Sequence, residues 1–230
     1  MNEAEDKARS RLALALDVDD LVVASRLARS MTSYFSTVKV GLELFSATGP
    51  ESVAVFLNLG YKVFLDLKFH DIPTTVGKAA KVIGGLGATY LTLHAFGGID
   101  MLKAGVAGLA EGASETGAAV PKALAVTILT SDDEAPGHVL PKRLELAIAA
   151  NCQGYVCAAV DLPIAKRVAP ELFSAVPGIR PTGADKHDQR RASTPEQAIA
   201  NGADLLVVGR SITLASDPIA AAEAIFASIL

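Results

Sequence analysis

The chain has 230 residues, of which 50% are hydrophobic and 20% charged, and its 21 Lys and Arg against 25 Asp and Glu give a net charge of −4. This composition suits a large buried core and excludes a disordered chain. It lacks the basic surface typical of nucleic-acid-binding proteins and the polybasic patch of membrane-surface proteins, so we expect neither partner.

The first ten residues, MNEAEDKARS, are polar and mixed in charge. They resemble neither a signal peptide nor a membrane span. We predict that residues 1–10 are a flexible N-terminal extension and that residues 11–230 form a single domain. Asp, Lys, Gly or Pro interrupts every apolar run of the chain before it reaches the length of a membrane span. We therefore expect a cytoplasmic protein.

Short apolar runs rich in Val, Leu and Ile recur eight times along the chain. Such nearly continuous hydrophobic runs are typical of parallel strands that are covered on both faces. The runs begin near Leu12 (LALALD), Thr37 (TVKVG), Lys62 (KVFLDLK), Tyr90 (YLTLHA), Lys122 (KALAVTILT), Gly154 (GYVCAAV), Leu172 (LFSAVPGIR) and Leu205 (LLVVGRSIT).

Segments with helical spacing lie between these runs, among them DLVVASRLARSM, ESVAVFLNLG, TTVGKAAKVIGGLG, DMLKAGVAGLAEG and PEQAIANGA. Strand starts about 20 to 30 residues apart match the length of one βα unit. Eight such units predict an α/β fold, a closed (β/α)8 TIM barrel. The alternative is an open doubly wound sheet, in which a Gly-rich turn is expected after the first strand. The segment there, LDVDDLV, has no glycine, which favours the barrel.

Cys152 and Cys157 are the two cysteines of the chain. Without a second cysteine pair, their spacing does not indicate a zinc site, and two thiols make no disulfide framework. We predict that both are small buried hydrophobic residues.

Barrel enzymes carry their chemistry at the carboxyl ends of the strands, so the polar residues that close each run are candidates for an active site. These residues are Asp17, Lys39, Asp66, Lys68, Asp71, His94, Thr130, Ser131, Arg180, Gly209 and Arg210.

The segment DLKFHD concentrates three of these candidates. Alternation along a strand places Asp66 and Lys68 on the same face, toward the barrel mouth. Asp71 follows the strand, and Ile72-Pro73 predicts an extended turn before a helix that begins at Thr74 or Thr75. A lysine between two carboxylates stays an ammonium, which suits a general acid and not a Schiff-base nucleophile. An ion-pair network that only links barrel strands is the structural alternative.

The segment VVGRSIT at the last strand suits a phosphate group. Backbone N–H groups at a helix start, together with the Arg210 guanidinium, favour a phosphate dianion, and barrels often bind phosphate after strands 7 and 8. The preceding loop, PGIRPTGADKHDQRR, is long and polar, as in a lid that closes over a ligand. A surface salt bridge is the alternative role for Arg210.

The segment FLDLKFHDIPTTV resembles the signature of the orotidine 5'-monophosphate decarboxylase family, an Asp-x-Lys-x-x-Asp array followed by Ile-Pro-x-Thr. The resemblance continues in the family's order through LALALD, VKVGLELF, HAFGG, AVTILTS, VPGIR, DQRRASTP and VVGRSIT. It covers roughly residues 11 to 220. It implies decarboxylation of orotidine 5'-monophosphate to uridine 5'-monophosphate in pyrimidine biosynthesis, without a metal or an organic cofactor.

The resemblance also implies roles for individual residues. Lys68 would donate a proton to C6 of the pyrimidine, with Asp66 near the departing carboxylate and Asp71 reaching the partner's active site in a homodimer. The remaining roles would be Asp17 and Lys39 at the ribose hydroxyls, Thr75 at the partner's ribose, Thr130 and Ser131 at the pyrimidine edge, Arg180 and Gln189 in the closing loop, and Gln189, Gly209 and Arg210 at the phosphate. We expect His94 to be structural, because Lys68 already supplies the proton.

Two rival functions remain open. Sugar-phosphate decarboxylases and aldolases related to this family share the Asp-x-Lys-x-x-Asp array but use magnesium. The downstream segments TILTS, PGIR and DQ favour the nucleotide enzyme. A catalytically silent barrel that serves as a binding protein is the second rival, and the intact array argues against it.

Overall fold

The eight predicted strands form a closed parallel barrel in a computed structural model that describes residues 2–132, 134–181 and 193–230. Each strand pairs with the next one along the chain, and β8 pairs with β1 to close the sheet. The predicted (β/α)8 barrel is therefore confirmed. The strands are β1 Leu12–Leu16, β2 Thr37–Gly41, β3 Lys62–Phe69, β4 Tyr90–His94, β5 Lys122–Val126, β6 Gly154–Val156, β7 Phe173–Val176 and β8 Leu205–Val208.

Helices surround this barrel and follow the strands in alternation. In the described part of the chain they are α1 Glu3–Ser10, α2 Leu21–Ser30, α3 Leu42–Thr48, α4 Glu51–Asn58, α5 Pro73–Gly84, α6 Gly98–Thr116, α7 Val139–Ala149, α8 Leu162–Val168, α9 Pro195–Ala200, α10 Arg210–Thr213 and α11 Pro218–Ala227.

The apolar side chains of the strands build two separate layers. On β3, Val63 and Leu65 belong to the layer between barrel and helices, whereas Phe64 lies in the barrel interior. At the amino ends of the strands, Tyr90 stacks on Phe173 with ring centroids 5.3 Å apart and meets Phe64 edge-on. These aromatic rings pack in the barrel interior toward the amino ends of the strands.

The first ten residues differ from the predicted flexible extension, because Glu3–Ser10 form helix α1. The Asn2 side chain accepts a hydrogen bond from Glu5 N, and the Glu5 carboxylate accepts one from Asn2 N. This reciprocal capping box stabilises the first turn. Ala8 is buried, and Arg9 Nε donates to the Thr32 carbonyl at 2.8 Å, which attaches the helix to the barrel.

Helices α5 and α6 approach each other at backbone distance. A Cβ atom added at Gly108 would lie 2.2 Å from the carbonyl oxygen of Gly77, and one added at Gly112 would lie 1.8 Å from that of Lys81. Glycine is required at such close crossings because any side chain would collide with the facing helix. The tight crossing fixes α5, and with it the turn that precedes this helix.

Both cysteines are buried, as predicted. Burial raises the pKa of the Cys152 thiol to about 12, which keeps it protonated. Across the residues described here, we find no helix with the length and apolar character needed to cross a membrane.

Candidate active site

A cavity of about 410 Å³ opens at the carboxyl ends of the strands. Its volume lies within the range of small-molecule sites, roughly 300–1,000 Å³. Apolar residues such as Phe64, Val126 and Val156 form its floor. The predicted site residues that line it are Asp17, Lys39, Asp66, Lys68, Thr130, Ser131, Arg180, Gly209 and Arg210.

Four charged side chains of alternating sign form a row along one wall of this cavity. Lys39 Nζ lies 2.9 Å from Asp17 Oδ1 and 3.7 Å from Asp66 Oδ2, and Lys68 Nζ lies 2.9 Å from the same Asp66 oxygen. The Lys39 side chain is 9% exposed and that of Asp66 15%, whereas those of Lys68 and Asp17 are 32% and 52% exposed. Lys39 and Asp66, in the middle of the row, are thus largely desolvated, while Lys68 faces the open cavity.

Burial on its own raises the pKa of the Asp66 carboxyl. The charges of Lys39 and Lys68, and hydrogen bonds from Lys68 and Thr92, together outweigh that effect and hold the pKa below its usual value. Asp66 therefore stays ionised at neutral pH and presents a fixed negative charge next to the Lys68 ammonium.

Strand β3 carries an irregularity at Lys68 that strand alternation does not predict. Leu65 pairs with Leu91 and Phe69 pairs with Leu93, so three residues of β3 face the single residue Thr92 of β4. Lys68 itself has a left-handed backbone with φ of 47°. Such a conformation costs a non-glycine residue roughly 1–3 kcal/mol and is found mostly at functional sites.

Thr92 was missed by the sequence analysis, because it lies in an apolar strand between Leu91 and Leu93. Its Oγ1 accepts a hydrogen bond from Lys68 N at 2.8 Å and donates one to Asp66 Oδ1 at 3.1 Å. The side chain is fully buried. Thr92 is a polar residue in an otherwise apolar run, which was the available signal. That it lies opposite Asp66 and Lys68 follows only from the register of β3 and β4.

Asp71 and Thr75 lie outside the cavity. Both are exposed, and Asp71 Oδ1 accepts a hydrogen bond from Ile72 N in the turn before α5. Helix α5 begins at Pro73, one or two residues before the predicted start at Thr74 or Thr75, since proline suits the first helical position. Among the residues that the structure describes, none forms an ion pair with Asp71.

The carboxyl ends of β7 and β8 lie side by side and contribute residues to the cavity. Ser211 Oγ, in α10 directly after β8, donates to the Ile179 carbonyl at 3.1 Å. Arg180 is 6% exposed and also donates to that carbonyl, through Nη1 at 2.8 Å. Arg180 and Arg210 both line the cavity. Gln189 lies outside the described residues.

His94 closes β4 and contacts the backbone that follows it. Its Nδ1 accepts a hydrogen bond from Phe96 N at 3.2 Å, and its ring stacks on that of His70 at 5.6 Å. Burial, followed by the charges of Arg143, His70 and Lys68, lowers the pKa of His94 to about 4. The imidazole is neutral at pH 7, which agrees with the structural role predicted for it.

The orotidine 5'-phosphate decarboxylase / HUMPS family model matches residues 10–225 of this chain. A Moorella thermoacetica protein named orotidine 5'-phosphate decarboxylase is 41% identical, with 96% of this chain and 93% of that protein covered. A Thermobifida fusca protein of the same name is 45% identical, with 95% of each chain covered.

The same resemblance extends to three dimensions. A crystal structure of orotidine 5'-phosphate decarboxylase from Lactobacillus acidophilus superimposes with a TM-score of 0.77 at 36% identity. The superposition covers 96% of this chain and 99% of that one. The likeness therefore spans the whole barrel, including the strand ends that line the cavity.

Proposed function

The chain belongs to the orotidine 5'-phosphate decarboxylase / HUMPS family, and we infer that it is a carboxy-lyase that converts orotidine 5'-monophosphate to uridine 5'-monophosphate and CO2. This reaction belongs to pyrimidine biosynthesis. The observation that carries the assignment is the row Asp17, Lys39, Asp66 and Lys68 along the wall of a cavity of nucleotide size. Relatives over nearly the full length with that name support it.

Lys68 is the proposed proton donor. When the bond between C6 and the carboxylate carbon breaks, CO2 leaves and the electron pair stays on C6. The Lys68 ammonium stabilises this developing negative charge without reorganisation and then transfers a proton from Nζ to C6. Water returns a proton to Lys68 after the product leaves. Lys68 lines the cavity and its side chain is 32% exposed, which supports this role.

Asp66 holds the ammonium in place. Its Oδ2 accepts the hydrogen bond from Lys68 Nζ, and its lowered pKa keeps it charged throughout the reaction. In the proposed complex the Asp66 carboxylate also lies near the departing carboxylate. No metal ion and no organic cofactor is needed, because the ammonium supplies the positive charge at C6.

The rest of the cavity is proposed to bind the nucleotide in three parts. Remote binding energy of this kind, above all at the phosphate, can be used to lower the barrier at the ring. We assign the ribose hydroxyls to Asp17 and Lys39, the pyrimidine edge to Thr130 and Ser131, and the phosphate to Gly209 and Arg210, with Arg180 and Gln189 in the closing loop.

The enzyme is proposed to be a homodimer with shared active sites. Asp71 and Thr75 lie outside the cavity of their own chain and are exposed, as are the neighbouring apolar side chains Ile72 and Phe96, at 66% and 68%. An isologous contact would cover these apolar groups and carry Asp71 and Thr75 to the partner's cavity.

An ultraviolet assay tests the function. The purified protein should remove the absorbance of the carboxylated ring of orotidine 5'-monophosphate, at the same rate with and without a metal chelator. A metal-dependent phosphosugar enzyme would leave the nucleotide intact and lose its own activity with the chelator. A silent barrel would bind the nucleotide without any absorbance change.

A further inference from the structure

Thr92 lies behind the cavity wall and is fully buried on β4. It does not belong to the residues that line the cavity, so it does not reach a bound nucleotide. Its hydroxyl nevertheless connects two parts of the charged row, the backbone of Lys68 and the carboxylate of Asp66.

The strand register explains why a hydroxyl is needed at this position. Three residues of β3 lie opposite Thr92, and the left-handed backbone of Lys68 turns its N–H away from a regular ladder. That N–H donates to Thr92 Oγ1 at 2.8 Å. A partly buried N–H without an acceptor is unfavourable, so the hydroxyl stabilises the bulge that positions Lys68.

The same contact determines the direction of the second hydrogen bond. Because Lys68 N can only donate, Thr92 Oγ1 accepts there and directs its own proton to Asp66 Oδ1 at 3.1 Å. This leaves the other carboxylate oxygen, Oδ2, to the ammonium groups of Lys68 at 2.9 Å and Lys39 at 3.7 Å. One hydroxyl thus sets both the backbone of the lysine and the orientation of its carboxylate partner.

We propose that Thr92 is a positioning residue for decarboxylation, which holds the Lys68 bulge and the Asp66 carboxylate in the geometry that places the ammonium at C6. The proposal rests on the function assigned above. Misplacement of a reacting group by about 1 Å can reduce turnover on the order of 100-fold. The loss should appear in kcat, since Thr92 does not contact the substrate.

Three variants separate positioning from general stability. Thr92→Val removes the hydroxyl at nearly constant volume, and Thr92→Ser keeps the hydroxyl. Thr127→Val is the matched control, because Thr127 is also fully buried and its hydroxyl donates to the Val156 carbonyl at 2.8 Å, without contact to the charged row.

Thr92→Val should lower kcat about 100-fold with KM within about 3-fold of the wild type. Thr92→Ser should restore kcat to within about 5-fold, and Thr127→Val should lower only the melting temperature.

Crystal structures of the same variants give a second measurement that does not depend on activity. In Thr92→Val, Lys68 should leave its left-handed conformation or Asp66 should rotate, whereas Thr127→Val should keep both. An active wild type with equal kcat in Thr92→Val and Thr127→Val would overturn the positioning role. An unchanged Lys68 and Asp66 in the Thr92→Val crystal would also overturn it. An inactive wild type would instead refute the proposed function, while the crystal structures would still decide the structural role of Thr92.

Discussion

The Lys68 ammonium lies 2.9 Å from the Asp66 carboxylate, and it does so from a left-handed backbone with φ of 47°. Regular alternation along β3 would place both side chains on one face, but it would not produce the extra residues that face Thr92. The close pair therefore depends on a bulge, and the strain of that bulge is offset by hydrogen bonds from its neighbours.

Lys68→Ala should abolish turnover while leaving nucleotide binding largely intact. The ammonium interacts most strongly with the transition state, so its removal lowers kcat, by at least about 10⁴-fold for a proton donor that also stabilises charge. Turnover is measured by absorbance, and binding of uridine 5'-monophosphate by calorimetry. Lys78→Ala, at an exposed position of α5, is the control and should keep full activity. Substantial turnover by Lys68→Ala would refute the assigned proton donor.

Arg210→Ala should weaken phosphate-bearing ligands. A charge-assisted hydrogen bond contributes about 1.5–3 kcal/mol, so kcat/KM for the nucleotide should fall roughly 10- to 150-fold. The same variant should change kcat/KM little for orotidine, which lacks the phosphate. Arg29→Ala, on the exposed face of α2, serves as the control. Equal losses with both substrates would mean that Arg210 has a structural role.

Gly41→Ala should damage the site without unfolding the barrel. A Cβ atom at Gly41 would lie 2.8 Å from both Asp17 Oδ1 and Lys39 Nζ, so the ion pair must shift. Because these atoms end flexible side chains, the backbone can stay in place. We expect kcat/KM to fall about 10- to 100-fold with little change in melting temperature. Gly137→Ala, where a Cβ atom meets nothing within 4 Å, should keep full activity.

The stability of the protein should fall as the pH drops from 6.5 toward 4, in part through His94. Its pKa is about 4 in the folded state against 6.5 for an ordinary histidine, so the unfolded chain takes up a proton in this window and the folded chain does not. The lowered pKa of Asp66 matters only at lower pH, because that carboxyl is still ionised in the unfolded chain above about pH 4.

His94→Asn should therefore flatten the pH dependence of the unfolding free energy between pH 6.5 and 4, measured by urea denaturation. Asparagine can still accept the hydrogen bond from Phe96 N, so the turn after β4 should be retained. His138→Asn, at an exposed histidine before α7, should leave the slope unchanged. An unchanged slope in His94→Asn would refute the depressed pKa.

The barrel could be predicted from the sequence because eight apolar runs mark its strands, and all but β7 begin at the predicted residue. The charged residues at the strand ends were also predictable, since a barrel brings these ends to one cavity. The Lys68 bulge and Thr92 were not, because the register between β3 and β4 depends on packing across the whole sheet. Helix α1 was missed because its polar residues lack a hydrophobic stripe, although Asn2 and Glu5 match a capping box.

The exposed position of Asp71 leads to a test of the shared active site. Asp66 and Lys68 line the cavity of their own chain, whereas Asp71 lies outside it in the turn before α5. If the partner supplies Asp71, two inactive variants should complement each other in a mixed dimer. Lys68→Ala would contribute an intact Asp71, and Asp71→Ala would contribute an intact Lys68.

Unfolding the two variants together in equal amounts and refolding them should make about half of the dimers mixed, by random pairing under two-fold symmetry. Each mixed dimer would hold one doubly damaged site and one native site, so roughly a quarter of all sites should regain activity.

Lys68→Ala refolded with Asp66→Ala is the matched control. Lys68 and Asp66 both line the cavity of their own chain, so every site of a mixed dimer keeps one lesion and no activity should return. Mass spectrometry establishes that mixed dimers are present in both samples. If Lys68→Ala and Asp71→Ala form mixed dimers that stay as inactive as the control, then Asp71 acts within its own chain and the shared-site model is wrong.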